Sequence, residues 1–233
     1  MPSSAASSQP LLEVRHLSRL DQTGANQLLK PTDFSLMAGA QVAITGASGS
    51  GKSVFLRTLA LLDAPTTGDI LWLGKSLAND GIPAYRTCAC YLSQRPALIE
   101  GSVLDNLQFP FTLKSLRKRT FNLQTASDLL AQAGRDASFL NKPAGDLSGG
   151  ESQLVAVVRT LQLAPQVMLF DEPTSALDPQ SAAAVEHLVQ HWFDAGSGSR
   201  AYIWVSHDPE QARRMSTLHL TMNKGQLQTG SES

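Results

Sequence analysis

A glycine-rich run at residues 46–53 has the composition of a loop that binds phosphate groups. It matches the pattern G-x-x-x-x-G-K-[ST] and lies between an apolar strand pattern and a helical pattern. Glycines let successive backbone N–H groups turn toward one anion, and the positive end of the following helix adds to the attraction. The residues that we expect at a bound phosphate are Gly46, Ala47, Ser48, Gly49, Ser50, Gly51, Lys52 and Ser53, with Val54 directly after them.

Two side chains of this loop have individual roles in the chemistry. Lys52 would reach the β- and γ-phosphates of a nucleotide, and the Ser53 hydroxyl would ligate Mg²⁺. The alternative is a glycine-rich loop that binds no ligand. The strand predicted before the run and the helix predicted after it argue against that alternative. The loop alone leaves kinases, GTPases and motor ATPases open.

A pair of acids follows a second apolar run. Residues 167–170 are Val-Met-Leu-Phe, and Asp171 and Glu172 come next. A parallel strand buried on both faces has such a continuous apolar run, and its carboxyl end is where α/β sheets place ligands. Asp171 would hold the Mg²⁺ shell, and Glu172 could activate or orient the attacking water. Two acids that simply cap a strand are the alternative.

The elements that must position these residues alternate between strand and helix. This rhythm predicts an α/β protein with a parallel sheet. Helices are predicted over residues 52–62, 125–133, 150–163, 179–194 and 209–215. Strands are predicted over residues 12–14, 33–37, 41–45, 70–73, 85–93, 167–171, 201–206 and 217–222.

Composition and charge exclude several classes of protein. The chain has 233 residues and a net charge of −1, with 19 Lys and Arg against 20 Asp and Glu, which argues against nucleic acid as a partner. No apolar run approaches the ~20 residues that span a bilayer, and the first ten residues do not resemble a secretory signal. Cys88 and Cys90 are too close in sequence for a typical disulfide. We expect a soluble protein of a reducing compartment.

Four further segments carry a resemblance to a known family. Leu147–Gln153 (Leu-Ser-Gly-Gly-Glu-Ser-Gln) resembles the signature of ABC-type ATPases, and Pro173–Asp178 resembles their D-loop. Tyr91–Gln94 resembles the Q-loop, and Val205–Asp208 resembles the segment of the switch histidine. With the phosphate loop these segments stand in the order of the family, so the chain is identified as a member of it. The signature and D-loop disfavour a small-molecule kinase.

The resemblance implies a fold, a reaction and two cofactors. The fold is an α/β P-loop NTPase (RecA-like) core with an antiparallel β subdomain and an inserted α-helical subdomain. We assign residues 1–10 to a disordered lead-in, 11–95 and 147–233 to the ATP-binding core with its β subdomain, and 96–146 to the helical subdomain. The implied activity is hydrolysis of ATP to ADP and phosphate, with ATP and Mg²⁺ bound.

The resemblance also implies that two copies of the chain share each nucleotide. Ser148 and Gly150 of one copy would cap the γ-phosphate that Gly49, Lys52 and Ser53 of the other copy hold. The other residues placed at the nucleotide by the resemblance are Gly149, Asp178, His207 and Gln94. His207 would contact the γ-phosphate and hold the geometry of Glu172, and Gln94 would touch Mg²⁺ and the attacking water.

One position departs from the family pattern. The aromatic residue that usually stacks on adenine is absent, and Arg19 or Leu20 falls in its place. An arginine plane can stack on a ring, so Arg19 is the expected adenine contact. If Arg19 does not stack, we expect weaker adenine binding and poor base selectivity.

The resemblance implies a transport role with a separate multi-spanning permease. The chain would lie at the cytoplasmic face of the inner (plasma) membrane, held there by the permease. Three stretches (96–103, 104–110 and 159–168) resemble the ATPase subunit of the bacterial iron exporters. The alternatives are the ATPase of a phosphate, amino-acid or lipid transporter, and a soluble ABC ATPase without a transport role.

A few residues outside these motifs could also serve a function. We expect the permease to dock between residues 94 and 111, where Leu98, Ile99 and Val103 could supply apolar contacts. The basic run 114–119 is expected to be a solvated face, with contact to anionic headgroups or to the permease as the alternative. His187 and His191 are expected to be a surface pair rather than metal ligands.

Overall fold

Two β-sheets flanked by helices make up the fold in the computed structural model, which describes residues 9–229. The predicted lead-in therefore lies outside the described residues except for Gln9 and Pro10. The strands are β1 (Leu12–Leu20), β2 (Gln27–Leu36), β3 (Gln41–Thr45), β4 (Thr67–Trp72), β5 (Lys75–Ser76), β6 (Ala89–Leu92), β7 (Val167–Asp171), β8 (Ala201–Val205), β9 (Leu218–Asn223) and β10 (Gln226–Thr229). The helices are α1 (Lys52–Leu59), α2 (Ile82–Cys88), α3 (Val103–Gln108), α4 (Leu123–Gln132), α5 (Gly149–Leu161), α6 (Pro179–Asp194) and α7 (Pro209–Met215).

The larger sheet has the strand order β10-β9-β3-β8-β7-β6. Strands β9, β3, β8, β7 and β6 run parallel, and β10 pairs antiparallel with β9. The smaller sheet, β2-β1-β4-β5, is antiparallel. Because the parallel strands share one direction, the loops after β3, β6, β7 and β8 all leave at one edge of the sheet.

Side-chain alternation divides the core between the two faces of the larger sheet. On one face, Phe170 and Trp204 pack with the helices α3, α4, α5 and α6, and their ring centroids lie 5.1 Å apart. On the other face, Leu169 and Ile203 pack with α1 and the smaller sheet. A strand that is buried on both faces needs apolar residues at every position, which explains the unbroken apolar run of β7.

The segment from α3 to the start of α5, residues 103–148, is mostly helical. It contains α3, α4 and several short 3₁₀ turns, and it packs on α5 and α6. Ser102 begins α3 with a reciprocal cap, since its hydroxyl accepts from the Asp105 N–H and its own N–H donates to the Asp105 carboxylate.

The strand predicted over residues 85–93 is wrong in its first half. Residues 82–88 form α2, and only 89–92 form a strand. Pro83 suits the first turn of a helix, and Tyr85 is buried, with its hydroxyl donating 2.6 Å to the carbonyl of Leu59. Tyr85 is therefore buried by packing between elements. In the sequence alone, an apolar aromatic residue next to a strand favours extension of that strand, which explains the wrong prediction.

Candidate functional site

The phosphate loop connects β3 to α1, and its glycines are required by close backbone neighbours. Gly46 has φ +142°, and a Cβ there would lie 2.3 Å from the carbonyl oxygen of Met222 in β9. Gly51 has φ +109°, and a Cβ there would lie 2.9 Å from the carbonyl oxygen of Leu28 in β2. Only glycine fits both the positive φ and the close carbonyl oxygen, so the phosphate loop is packed tightly against β9 and β2.

Lys52, the first residue of α1, is buried inside the loop. Its side chain is 6% exposed, and its ammonium donates to the carbonyls of Gly46 and Ala47 at 2.8 and 3.0 Å. The same nitrogen lies 4.0 Å from the Glu172 carboxylate. The cation therefore sits between the loop and the acid, where an incoming phosphate would meet it.

Asp171, the last residue of β7, has hydrogen-bond donors on both carboxylate oxygens. The Ser53 hydroxyl donates to one at 2.9 Å, and the Tyr91 hydroxyl donates to the other at 2.8 Å. Burial and the hydrogen bond to Asp171 raise the pKa of Tyr91 well above its usual range, so the phenol remains a donor. The Tyr91 hydroxyl was not predicted as part of the site, because an aromatic residue in a strand usually indicates packing alone.

Glu172 lies in an unusual backbone conformation. Its φ is +48°, a left-handed value that costs free energy for a residue with a side chain. Its N–H donates to the carbonyl of Val205 at the end of β8, 3.2 Å away. The turn directly after β7 is therefore tied to the neighbouring strand.

Three side chains from three other loops converge on the Glu172 carboxylate. The Gln94 amide donates to it at 3.2 Å and to the Ser175 hydroxyl at 2.8 Å. Nδ1 of His207 lies 3.6 Å away, and the Lys52 ammonium approaches from the phosphate loop. Gln94, His207, Lys52 and Glu172 follow the carboxyl ends of β6, β8, β3 and β7, which is why residues far apart in sequence meet here.

A cleft of about 700 Å³ opens over these residues. Ser48–Val54, Gln94, Asp171 and Glu172 line it, so Val54 borders the cleft as well as the core. Its outer wall consists of Gln27, Leu28, Lys224 and Gly225. This wall was not predicted. The Lys224–Gly225 turn of the β9–β10 hairpin was the available signal, but β10 was not predicted.

The signature residues lie elsewhere, at the N-terminus of α5. Ser148 caps this helix and Gly149 and Gly150 begin it. Asp178 caps α6 by accepting from the N–H and hydroxyl of Ser181, which lowers the pKa of Asp178. A Cβ on Gly150 would lie 2.5 Å from the Ser181 hydroxyl, so the two helix starts are adjacent. None of Ser148, Gly149, Gly150 and Asp178 lines the cleft over the phosphate loop.

Arg19 lies in β1 and its guanidinium is already engaged. It donates to the carbonyl of Ala64 and lies 3.8 Å from the Asp63 carboxylate. Neither Arg19 nor Leu20 lines the cleft. Stacking on adenine would require Arg19 to leave both partners.

A second, more apolar groove of about 610 Å³ lies beside the helical segment. Leu98 and Ile99 line it, together with the partly exposed side chains of Phe109 and Leu113. Val103, which was expected to contribute, is fully buried in the core under α3 and cannot reach a partner.

The remaining candidates have ordinary environments. Cys90 is buried, which raises the pKa of its thiol to about 12, and Cys88 is the last residue of α2. His187 and His191 are exposed on α6, and residues 9–229 contain no group of three or more His, Cys, Asp or Glu that could hold a metal ion.

Among residues 9–229, no helix is both long and apolar enough to cross a bilayer.

Comparisons with known proteins agree with the motifs. The family model described as "ABC transporter" matches residues 29–175. The rice "Protein STAR1" is 34% identical over 96% of this chain, which spans 63% of the length of that protein. The Escherichia coli "Probable iron export ATP-binding protein FetA" is 35% identical over 87% of each chain. A "Lipoprotein-releasing system ATP-binding protein LolD" from Shewanella oneidensis is 35% identical over 94% of this chain and 96% of its own.

A solved structure gives the fold. The dimeric post-hydrolysis state of the ATP-binding cassette MJ0796 bound to ADP and phosphate matches with a TM-score of 0.81 and 24% identity, over 95% of this chain and 100% of that one. The predicted P-loop NTPase fold is confirmed. The chain therefore belongs to the ABC transporter family, as one of its ATP-hydrolysing subunits.

Proposed function

We propose that two copies of this chain hydrolyse ATP head to tail and drive a separate permease that exports iron. The observation that carries the ATPase part is the convergence of Lys52, Gln94 and His207 on the Glu172 carboxylate, beside the phosphate loop. Iron as the cargo is proposed from the resemblance to iron-exporter ATPases.

The residues of the cleft have separate roles in ATP hydrolysis. The loop N–H groups and Lys52 bind the β- and γ-phosphates, where Lys52 exchanges its carbonyl partners for phosphate oxygens. Glu172 accepts a proton from the attacking water. Gln94 orients the Glu172 carboxylate through its amide, and His207, in the loop after β8, contacts the γ-phosphate.

Mg²⁺ is the second cofactor of the proposal. The Ser53 hydroxyl and the Asp171 carboxylate lie 2.9 Å apart and are the hard oxygen ligands that this ion prefers, with Gln94 nearby. Two protein oxygens leave the remaining positions to phosphate oxygens and water, which is typical of Mg²⁺ in nucleotide sites. When bound, the ion neutralises charge that develops on the phosphates.

The second copy supplies the part of the site that the cleft lacks. The start of α5 offers free N–H groups and a serine hydroxyl, a suitable anion site, but Ser148, Gly149 and Gly150 do not line the cleft over the phosphate loop of their own chain. In a twofold pair, Ser148 and Gly150 of each copy would cap the γ-phosphate on the other, with Asp178 beside them. The similarity to a cassette solved as a dimer supports this arrangement.

The permease would dock in the groove beside the helical segment and hold the chain at the cytoplasmic face of the inner membrane. Leu98, Ile99, Phe109 and Leu113 give this groove an apolar lining suited to a permease helix. Ala97, Leu98 and Ile99 line the groove a few residues after Gln94, so displacement of this wall by the permease would move Gln94 and the Glu172 carboxylate that it contacts.

Iron is proposed as cargo on two grounds. Residues 96–110 and 159–168 resemble the iron-exporter ATPases, and the chain is 35% identical to FetA over most of both lengths. Residues of the first stretch form the groove wall, where an ATPase would recognise its permease. The comparable similarity to a LolD protein makes a lipid-linked cargo the second candidate.

The test is the iron content of cells that lack this chain, cells in which it is restored, and cells that carry Glu172→Gln. We expect excess iron in the first and third only, because the variant keeps the subunit but blocks hydrolysis. Other metals and phosphate are measured alongside. Unchanged iron in all three strains would rule out iron export, and an accumulated alternative would identify the next cargo.

A further inference from the structure

The signature carries a negative charge close to the place where the proposed dimer would bring a γ-phosphate. Glu151 is the third residue of α5, and its carboxylate accepts the N–H of Ser148 at 2.9 Å. In return the Ser148 hydroxyl oxygen accepts the N–H of Glu151 at 3.2 Å. The cap uses an acceptor site of the hydroxyl and leaves its proton free for a γ-phosphate, but it places a carboxylate within one turn of that anion.

Two cations from the preceding segment face this carboxylate. The Lys142 ammonium lies 2.8 and 3.0 Å from its two oxygens, and an Arg135 guanidinium nitrogen lies 3.8 Å away. The pKa of Glu151 is lowered, first by the hydrogen bond from Lys142. The Glu151 side chain is 14% exposed and the Lys142 side chain is 35% exposed, so the pair is partly shielded from solvent.

The backbone of Lys142 is fixed as well. Its carbonyl accepts the N–H of Val103 at 2.9 Å, and the N–H of Ala144 donates to Gly101 at 2.8 Å. These bonds flank a bridge between Ser102 and Pro143. These backbone hydrogen bonds therefore hold Lys142 in place beside Glu151.

We propose that Lys142 is a positioning residue for the composite site, which neutralises Glu151 so that the signature of one copy can accept the γ-phosphate held by the other. The proposal rests on the head-to-tail dimer proposed above. Without Lys142, only the more distant Arg135 would offset the charge of the carboxylate, which would then repel the incoming phosphate across the dimer interface. Glu151 would still cap Ser148, so the defect would be one of charge.

The test measures ATP-dependent dimerisation by sedimentation velocity, in a Glu172→Gln background that holds ATP. We expect Lys142→Met to weaken the dimer about tenfold, the order of effect that a charge has at a helix N-terminus. Binding of a fluorescent ATP analogue to the monomer should not change, because Lys142 does not line the cleft over its own phosphate loop. Lys75→Met, on an exposed lysine of β5, is the matched control and should dimerise normally.

A second substitution distinguishes an electrostatic role of Lys142 from a structural one. Adding Glu151→Gln to Lys142→Met should restore dimerisation to within about twofold, since glutamine keeps the acceptor for the Ser148 N–H and removes the charge. A defect in Lys142→Met that Glu151→Gln does not rescue would mean that Lys142 is only structural and would overturn the inference. So would normal dimerisation of Lys142→Met. Failure of the Glu172→Gln parent itself to dimerise with ATP would overturn the composite site, and this inference with it.

Discussion

Glu172 combines a strained backbone with three polar neighbours, which suits a group that must face a reacting water. We predict that Glu172→Gln lowers ATP hydrolysis roughly 10²–10⁴-fold, the usual contribution of a general base, while ATP binding is retained. The isosteric amide keeps the shape of the site, so the loss would reflect proton transfer. The measurement is phosphate release by the purified chain together with nucleotide binding at equilibrium.

We expect Lys52→Ala to differ from Glu172→Gln in its effect on ATP binding. This variant should weaken nucleotide binding itself, since it removes the cation that the phosphates meet first. Normal hydrolysis by Glu172→Gln would show that another group serves as the base.

At the residue scale, the parts of the site that come from contiguous motifs could be predicted from sequence. Lys52, Ser53 and Asp171 have identities that phosphate and Mg²⁺ chemistry demand at those spacings. The Tyr91 hydroxyl and the Lys142 ammonium could not be found this way. Their roles depend on which side chains face them across the fold, and the residue types alone do not encode this.

At the scale of elements, the wall of the apolar groove depends on one buried amide. Asn106 in α3 is fully buried, accepts the N–H of Ile99 at 2.8 Å and donates to the carbonyls of Ile99 and Ser102 at 3.0 Å. We predict that Asn106→Leu lowers the free energy of unfolding by about 3 kcal/mol, since each buried polar group left without a partner costs ~1–3 kcal/mol. Urea titration followed by circular dichroism measures the loss.

The control is Asn26→Leu, in the exposed turn between β1 and β2. Asn26 donates only to the nearby Asp21 carboxylate, so its replacement should change stability by less than about 0.5 kcal/mol. Equal losses in the two variants would contradict the special role of Asn106.

Elements with strong local signals were predicted well. The bounds of α6 and α7 agree with the prediction, because Asp178 and Asp208 cap them and proline opens each. The strand predicted over residues 85–93 failed because burial of Tyr85 against Leu59 and Trp72 is a tertiary effect. The β10 strand was missed because Gln226–Thr229 is short and polar, and pairing with β9 alone defines it.

On the scale of the whole molecule, the chemistry is divided between two surfaces of one chain. The cleft holds the groups proposed to bind phosphates and activate water, and the start of α5, proposed as a second anion site, does not line it. The apolar groove is a third surface, separate from both. Nucleotide, second copy and permease could therefore bind at the same time, as coupling of hydrolysis to transport requires.

This arrangement predicts how the chain distributes in its native cells. We expect it in the membrane fraction and released by an alkaline wash, because the permease would hold it through the groove. Leu113→Asp should move most of the chain to the supernatant, since Leu113 is 45% exposed on the groove and a charge there opposes an apolar partner. Leu218→Asp is the matched control, as Leu218 is 44% exposed in β9, outside the groove.

Both leucines are exposed, so neither substitution should unfold the chain, and ATP hydrolysis by the purified variants should match that of the parent. Retention of Leu113→Asp on the membrane would mean that another surface carries the permease. Release of both variants would mean that added charge alone detaches the chain, whatever its position. Selective release of Leu113→Asp is the result that only docking through the groove explains, because the two leucines match in type and exposure and differ in location.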